Sequence, residues 1–141
     1  MDEGLQYNTM NTDEKATYRF LALYSMVVAD GMVTWEELST LYRIGKECYG
    51  LTDEKISNTV KEVGTSYVLP TELDDKVELL YHLCEIAWAD GEIASVEKEL
   101  VARYARMMDF EEENIDSIVE YMLSQVENKV SLETVLSEIK G

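Results

Sequence analysis

The stretch Ala29-Asp30-Gly31-Met32-Val33-Thr34-Trp35-Glu36-Glu37 decides how this chain is read, because it occurs twice. The second copy is Ala89-Asp90-Gly91-Glu92-Ile93-Ala94-Ser95-Val96-Glu97, and sixty positions separate Asp30 from Asp90, Gly31 from Gly91 and Glu37 from Glu97. Each copy follows a strongly apolar run and precedes an amphipathic one. Each therefore reads as a tight turn that ends one helix and starts the next. Glycine supplies the positive φ of such a turn, and an aspartate before it is ordinary turn chemistry.

Outward from the first turn, a helix is expected from about Thr12 to Ala29, entered through an Asn11 and Glu14 cap. Its later part, Phe20 to Val28, is apolar almost all round, which marks an enclosed helix. Thr34 and Glu37 form a T-x-x-E capping box for a second helix, whose apolar positions are Trp35, Leu38, Leu41, Tyr42, Gly45 and Cys48. Gly50 stops it. A third helix opens at Thr52 and carries Ile56, Val60 and Val63, with Gly64 at its end. Residues 65–70 read as a linker, with Tyr67, Val68 and Leu69 tucked against the core.

The second half repeats this plan. A fourth helix runs from about Thr71 to Ala89, and a fifth places Val96, Leu100, Val101, Tyr104 and Met108 inward. A sixth starts at Asp109 or Glu111, with Ile115, Ile118, Val119, Met122, Leu123 and Val126 on its apolar side. Ser131 caps a short seventh helix carrying Leu132, Val135, Leu136 and Ile139. A one-residue slip near Gly50 aligns Leu51 with Phe110 and Ile56 with Ile115. The expectation is an all-α protein, a compact bundle of about seven helices built from two related helical halves. Residues 1–10 form a flexible tail and residues 11–141 a single domain. The halves span about 12–64 and 71–126, the last helix 131–140, and the halves pack on each other.

Composition bounds the function. The 141 residues carry 29 acidic and 12 basic side chains, a net charge of −17. Such a surface repels nucleic-acid phosphates and anionic lipid; it suits a cation or a protein partner with a basic surface. Nearly half the residues are apolar, so the acidity does not imply disorder. The acidic start Met1-Asp2-Glu3-Gly4 lacks the pattern of a signal peptide. The longest mostly apolar run, Phe20 to Ala29, is far short of the ~20 residues that span a bilayer. A cytoplasmic, reduced protein without direct membrane insertion is expected. Cys48 and Cys84 form no CxxC pair or metal spacing, and both fall on apolar helix faces, as small hydrophobes do.

The repeated turn invites comparison with a calcium loop. With Gly31 at the loop's glycine, Glu37 falls at the twelfth position, where the bidentate ligand belongs. The first and third positions would then be Met26 and Val28, or Ile86 and Trp88, and apolar side chains cannot hold a hard cation. Neither copy is an EF-hand. What survives is a candidate site at Asp30, Glu37, Asp90 and Glu97, whose carboxylates suit Ca²⁺, Mg²⁺ or Mn²⁺, with Zn²⁺ also considered. The competing reading is structural: a Glu at the third helical position satisfies a backbone N–H and meets the helix dipole.

At these residues the chain resembles the TerB-like family, named for tellurite-resistance proteins and also found as the N-terminal domain of DjlA-type co-chaperones. The matching pieces are Ala29-Asp30-Gly31 to Glu37, and Trp88-Ala89-Asp90-Gly91-Glu92-Ile93 to Glu97, followed by Glu99-Leu100-Val101. The resemblance implies a compact bundle of about seven helices in two related halves and a role in tellurite or general stress response. It also implies a metal site at Asp30, Glu37, Asp90 and Glu97. Within these 141 residues no J-domain follows and no transmembrane segment precedes the matching region, so co-chaperone activity of the DjlA type is not expected of this chain.

Enzymatic chemistry has little to work with. His82 is the only histidine, and no serine or cysteine sits in a nucleophile motif. On a helical wheel His82 falls with Asp75, Glu78 and Glu85, which reads as a solvated acidic ridge. No cofactor-binding glycine loop is present. Met26, Met107, Met108 and Met122 sit at core spacing. Leu79 and Ile86 lie off the main stripe of the fourth helix; they either meet the opposite half or form a partner or homodimer surface.

Overall fold

Asn11 opens the first helix with a reciprocal cap: its side chain accepts from the Glu14 N–H at 2.8 Å, and Glu14 accepts from the Asn11 N–H at 3.0 Å. The computed structural model in which this is seen describes residues 9–28, 33–61, 69–89, 91, 93 and 95–140, without the side chains of Met26 and Val96. Its helices are α1 (Thr12–Val28), α2 (Trp35–Glu47), α3 (Asp53–Val60), α4 (Leu73–Ala87), α5 (Ser95–Met107), α6 (Ile115–Glu127) and α7 (Leu132–Lys140). No strand occurs among the described residues. The 1–8 part of the expected tail, the ends of the first and third helices at Ala29 and Gly64, and Tyr67 and Val68 lie outside the described residues.

Local chemistry sets the boundaries. Thr34 and Glu37 make the expected capping box on α2. Thr52 accepts from the Lys55 N–H, and Ser131 from the Thr134 N–H. The fourth helix is shorter than the sequence suggests at both ends. The Ala89 N–H reaches only three residues back, to Ile86 O at 3.1 Å, so the last turn tightens before the second Asp-Gly corner. Glu112–Asn114 form a 3-10 turn before α6 begins. Gly91 has φ +88°, the left-handed conformation that its corner requires.

The chain divides into two compact units, residues 1–72 and 73–141. In the first, α1 packs against α2 and α3, and α2 against α3. Phe20, Leu23, Leu41, Ile44 and Ile56 form its buried interior. In the second, α4 is the central helix and packs against α5, α6 and α7. Val77, Leu80, Leu83, Val101, Met108, Ile115, Met122 and Val135 are buried there. Its aromatic polar groups are satisfied internally. Tyr81 donates its hydroxyl to Val130 O at 2.7 Å, and the Trp88 indole donates to Leu123 O at 3.0 Å.

Several sequence expectations are corrected. His82 is 2% exposed and buried, not part of a solvated ridge. Nearly the whole circumference of α4 from Val77 to Ala87 is covered, and the wheel reading assumed a solvated face that an enclosed helix lacks. Trp35 stands 76% exposed and Tyr42 is also exposed. Leu41 and Gly45 are buried as expected, but Glu37 and Ile44 join them, so the buried face is rotated about the axis away from Trp35 and Tyr42. Cys48 at the end of that helix is exposed, as are Met107 and Ile139 at the ends of theirs. Leu79 and Ile86 are buried, so neither offers an open surface.

Corresponding positions of the two units share local geometry. The buried face Glu37, Leu41, Ile44, Gly45 of α2 has its counterpart sixty residues on in Glu97, Val101, Tyr104, Ala105 of α5, where Glu97 is half-buried. A left-handed residue follows each helix, Gly50 at φ +69° and Asp109 at φ +68°. The next N–H turns back to matched carbonyls: Leu51 to Gly45 O at 2.9 Å, Phe110 to Ala105 O at 3.2 Å. The first of these loops holds one extra residue, closed by a Tyr49 N–H to Ile44 O bond five positions back. An exposed ion pair then joins each second helix to the start of the next segment, Lys46 to Asp53 and Arg106 to Glu112, both at 2.9 Å.

Candidate functional site

Of the four carboxylates singled out in the sequence, Asp30 and Asp90 lie outside the described residues. Glu37 and Glu97 occupy the third position of α2 and α5. Glu37 is buried, and its Oε1 accepts from the Thr34 N–H at 3.0 Å while its own N–H donates to Thr34 Oγ1 at 3.0 Å. One of its oxygens is thus engaged in holding the helix end, and a cation would draw on the other. Ala94 stands in the second copy where the first has Thr34, so the sequence there offers no side-chain acceptor for a helix cap. Among the described residues, no group of three or more His, Cys, Asp or Glu side chains is placed to hold a metal ion.

The thiols differ. Cys84 is fully buried in α4; burial first, and the neighbouring Glu85 charge second, push its thiol far above the ordinary range. It has no thiolate with which to act as a nucleophile. Cys48 is exposed at the end of α2.

The second unit holds a feature that sequence reasoning did not single out. An open groove of about 310 Å³ is lined by Leu73 and Val77 of α4, Phe110, Ile118 and Tyr121 of the α6 side, and Ile139 of α7. Leu73 is 46% exposed and Ile139 38%. The sequence placed Ile118 and Ile139 inward because they lie on apolar stripes. The signal it contained was an excess: α6 carries Ile118 in addition to the buried Ile115, Val119, Met122 and Leu123. Polar contacts frame the groove. Lys140 pairs with Asp74 at 3.1 Å, Tyr121 donates to Glu138 at 2.8 Å, and the Lys76 ammonium lies 5.6 Å from the Phe110 ring centre. Burial, then the bond to Glu138, raises the Tyr121 phenol above its usual pKa.

No described helix is long and apolar enough to cross a membrane. No protein-family model, curated protein or solved structure matches the chain.

Proposed function

We propose that this chain is a non-enzymatic, acidic interaction module of TerB-like type that docks a protein partner with a basic surface, in a stress or tellurite-resistance-related pathway of the cytoplasm. The observation that carries the reading is electrostatic. With 29 acidic side chains against 12 basic ones, pairing every cation still leaves a large excess of carboxylate. Cations of the second unit are already spent locally, Lys98 on Glu120, Arg106 on Glu112 and Lys140 on Asp74. The remaining field attracts a basic surface and speeds its encounter. A buried sole histidine and a thiol held protonated by burial support the non-enzymatic part. The matched buried faces, left-handed residues, carbonyl acceptors and ion pairs support descent of the two units from one copied ancestor.

The test is retention on the immobilised protein at low ionic strength. A basic protein that binds and then leaves with salt, but not with chelator, is the expected result. Retention of no basic protein would overturn the reading.

A second reading is favoured by the recurrence of Asp and Glu at the two corners. Here Asp30, Glu37, Asp90 and Glu97 bind a divalent cation, and the module acts as a sensor. Calorimetric titration of the parent, Asp30→Ala and Asp90→Ala with Ca²⁺, Mn²⁺ and Zn²⁺ decides it. Heat in the parent that is lost in both variants supports the sensor; no heat in the parent ends it.

A further inference from the structure

We infer that the groove framed by α4, α6 and α7 is the docking site of that partner and that it receives a basic amphipathic helix. This rests on the interaction reading above and names its surface. The floor is apolar, through Val77, Phe110 and Ile118, and Leu73 and Ile139 stand partly exposed at its edge. Apolar side chains repeated along one face of a helix fit a groove between helices, with anchors at i, i+3 or i+4 and i+7. The volume, about 310 Å³, is at the low end for ligand clefts; it accepts a few anchor side chains better than a whole apolar ligand.

Charge selects the occupant. The second unit alone has 17 acidic and 6 basic residues, a net of −11. At the groove Glu138 accepts from the lining Tyr121, while the nearby cations Lys76 and Lys140 are held by the Phe110 ring and Asp74, so the local charge that remains is negative. A helix with lysines or arginines flanking its apolar face completes this rim. A second copy of the chain, at −17, is repelled, and so is an anionic bilayer.

The probe is a pair of fluorescent synthetic peptides of identical leucine and lysine composition, one patterned as an amphipathic helix and one scrambled. Anisotropy is read with the parent, with Leu73→Glu and Ile139→Glu, and with Trp35→Glu as a control of equal charge change on the first unit. Circular dichroism checks that each variant folds. Expected are tight binding of the patterned peptide, at least tenfold weaker binding of the scrambled one, and a tenfold or greater loss in Leu73→Glu and Ile139→Glu but not in Trp35→Glu. If both peptides bind equally and no groove variant matters, the groove assignment fails while the acidic-module reading stands. If neither peptide binds at low salt, the acidic-module reading itself fails. Dimerisation in sedimentation that Ile139→Glu abolishes would instead make a second copy the occupant and overturn the proposal.

Discussion

The Phe20 ring lies directly over the backbone of Gly45: a Cβ built on that glycine would sit 2.7 Å from Phe20 Cε1 and 2.9 Å from Cδ1. Both residues are buried, so neither can swing into solvent. Gly45→Ala should therefore destabilise the protein by about 1–3 kcal/mol through overpacking, against a helix-propensity gain of about 1 kcal/mol. Sixty positions on, the sequence carries Leu80 and Ala105, a smaller side chain in place of Phe20 and a larger one in place of Gly45. Phe20→Leu combined with Gly45→Ala should recover most of the loss, because the smaller side chain clears the added methyl. Chemical denaturation of the three variants measures this. A double variant no more stable than Gly45→Ala would show that the two pairs are not interchangeable.

This contact shows where a sequence stops speaking. The helices were legible because their caps are written in residue types: Asn11 with Glu14, Thr34 with Glu37, Thr52 and Ser131 all make the bonds expected of them. Periodicity also located the helices, but it fixes the buried face only to within a rotation. On α2 the expected face held Leu41 and Gly45, which are buried, but also Trp35 and Tyr42, which are exposed, and it left out the buried Ile44. His82 was misplaced for a related reason. Polarity suggests an outer face only where a helix has one, and α4 is covered on nearly its whole circumference from Val77 to Ala87. The groove was not legible either, because it is a mismatch between three separately plausible apolar stripes.

The role of Glu37 can be separated from metal binding by a neutral isostere. Glutamine keeps an oxygen able to accept from the Thr34 N–H but lowers the charge available to a cation. Glu37→Gln should cost less than about 0.5 kcal/mol, whereas Thr34→Ala, which removes the acceptor for the Glu37 N–H, should cost about 1 kcal/mol. Urea denaturation without divalent ions reads both. A large loss in Glu37→Gln alone would mean that the carboxylate charge, and not the cap, matters at this position.

Left-handed residues give opposite outcomes on substitution. Gly50 has φ +69° and nothing within 4 Å of a built Cβ, so Gly50→Ala incurs only the backbone cost of about 1–2 kcal/mol. Lys129 has φ +61° at the end of α6, where its N–H bonds Val126 O and the next N–H bonds Gln125 O. Glycine suits that closing turn better than lysine. Lys129→Gly should raise stability by about 0.5–1 kcal/mol. Thermal unfolding midpoints moving in opposite directions are the expected signature; equal shifts would exclude backbone strain as the cause.

The two thiols should behave as different chemical species. Iodoacetamide applied to the native protein should modify Cys48 and spare Cys84 until the chain unfolds, as mass spectrometry of digests would show. The raised pKa of Cys84 also makes a linkage prediction. Its folded pKa lies above the ordinary thiol value of 9.0, so the contribution of the buried neutral thiol is fully present below about pH 9. As pH rises further the unfolded thiol ionises first, and that stability is progressively lost toward the folded pKa. The stability difference between the parent and Cys84→Ala, taken from urea curves under reducing conditions, should fall by about 1 kcal/mol between about pH 8 and about pH 9.5. A difference that stays constant over this range would mean that Cys84 ionises as readily in the folded chain as in the unfolded one.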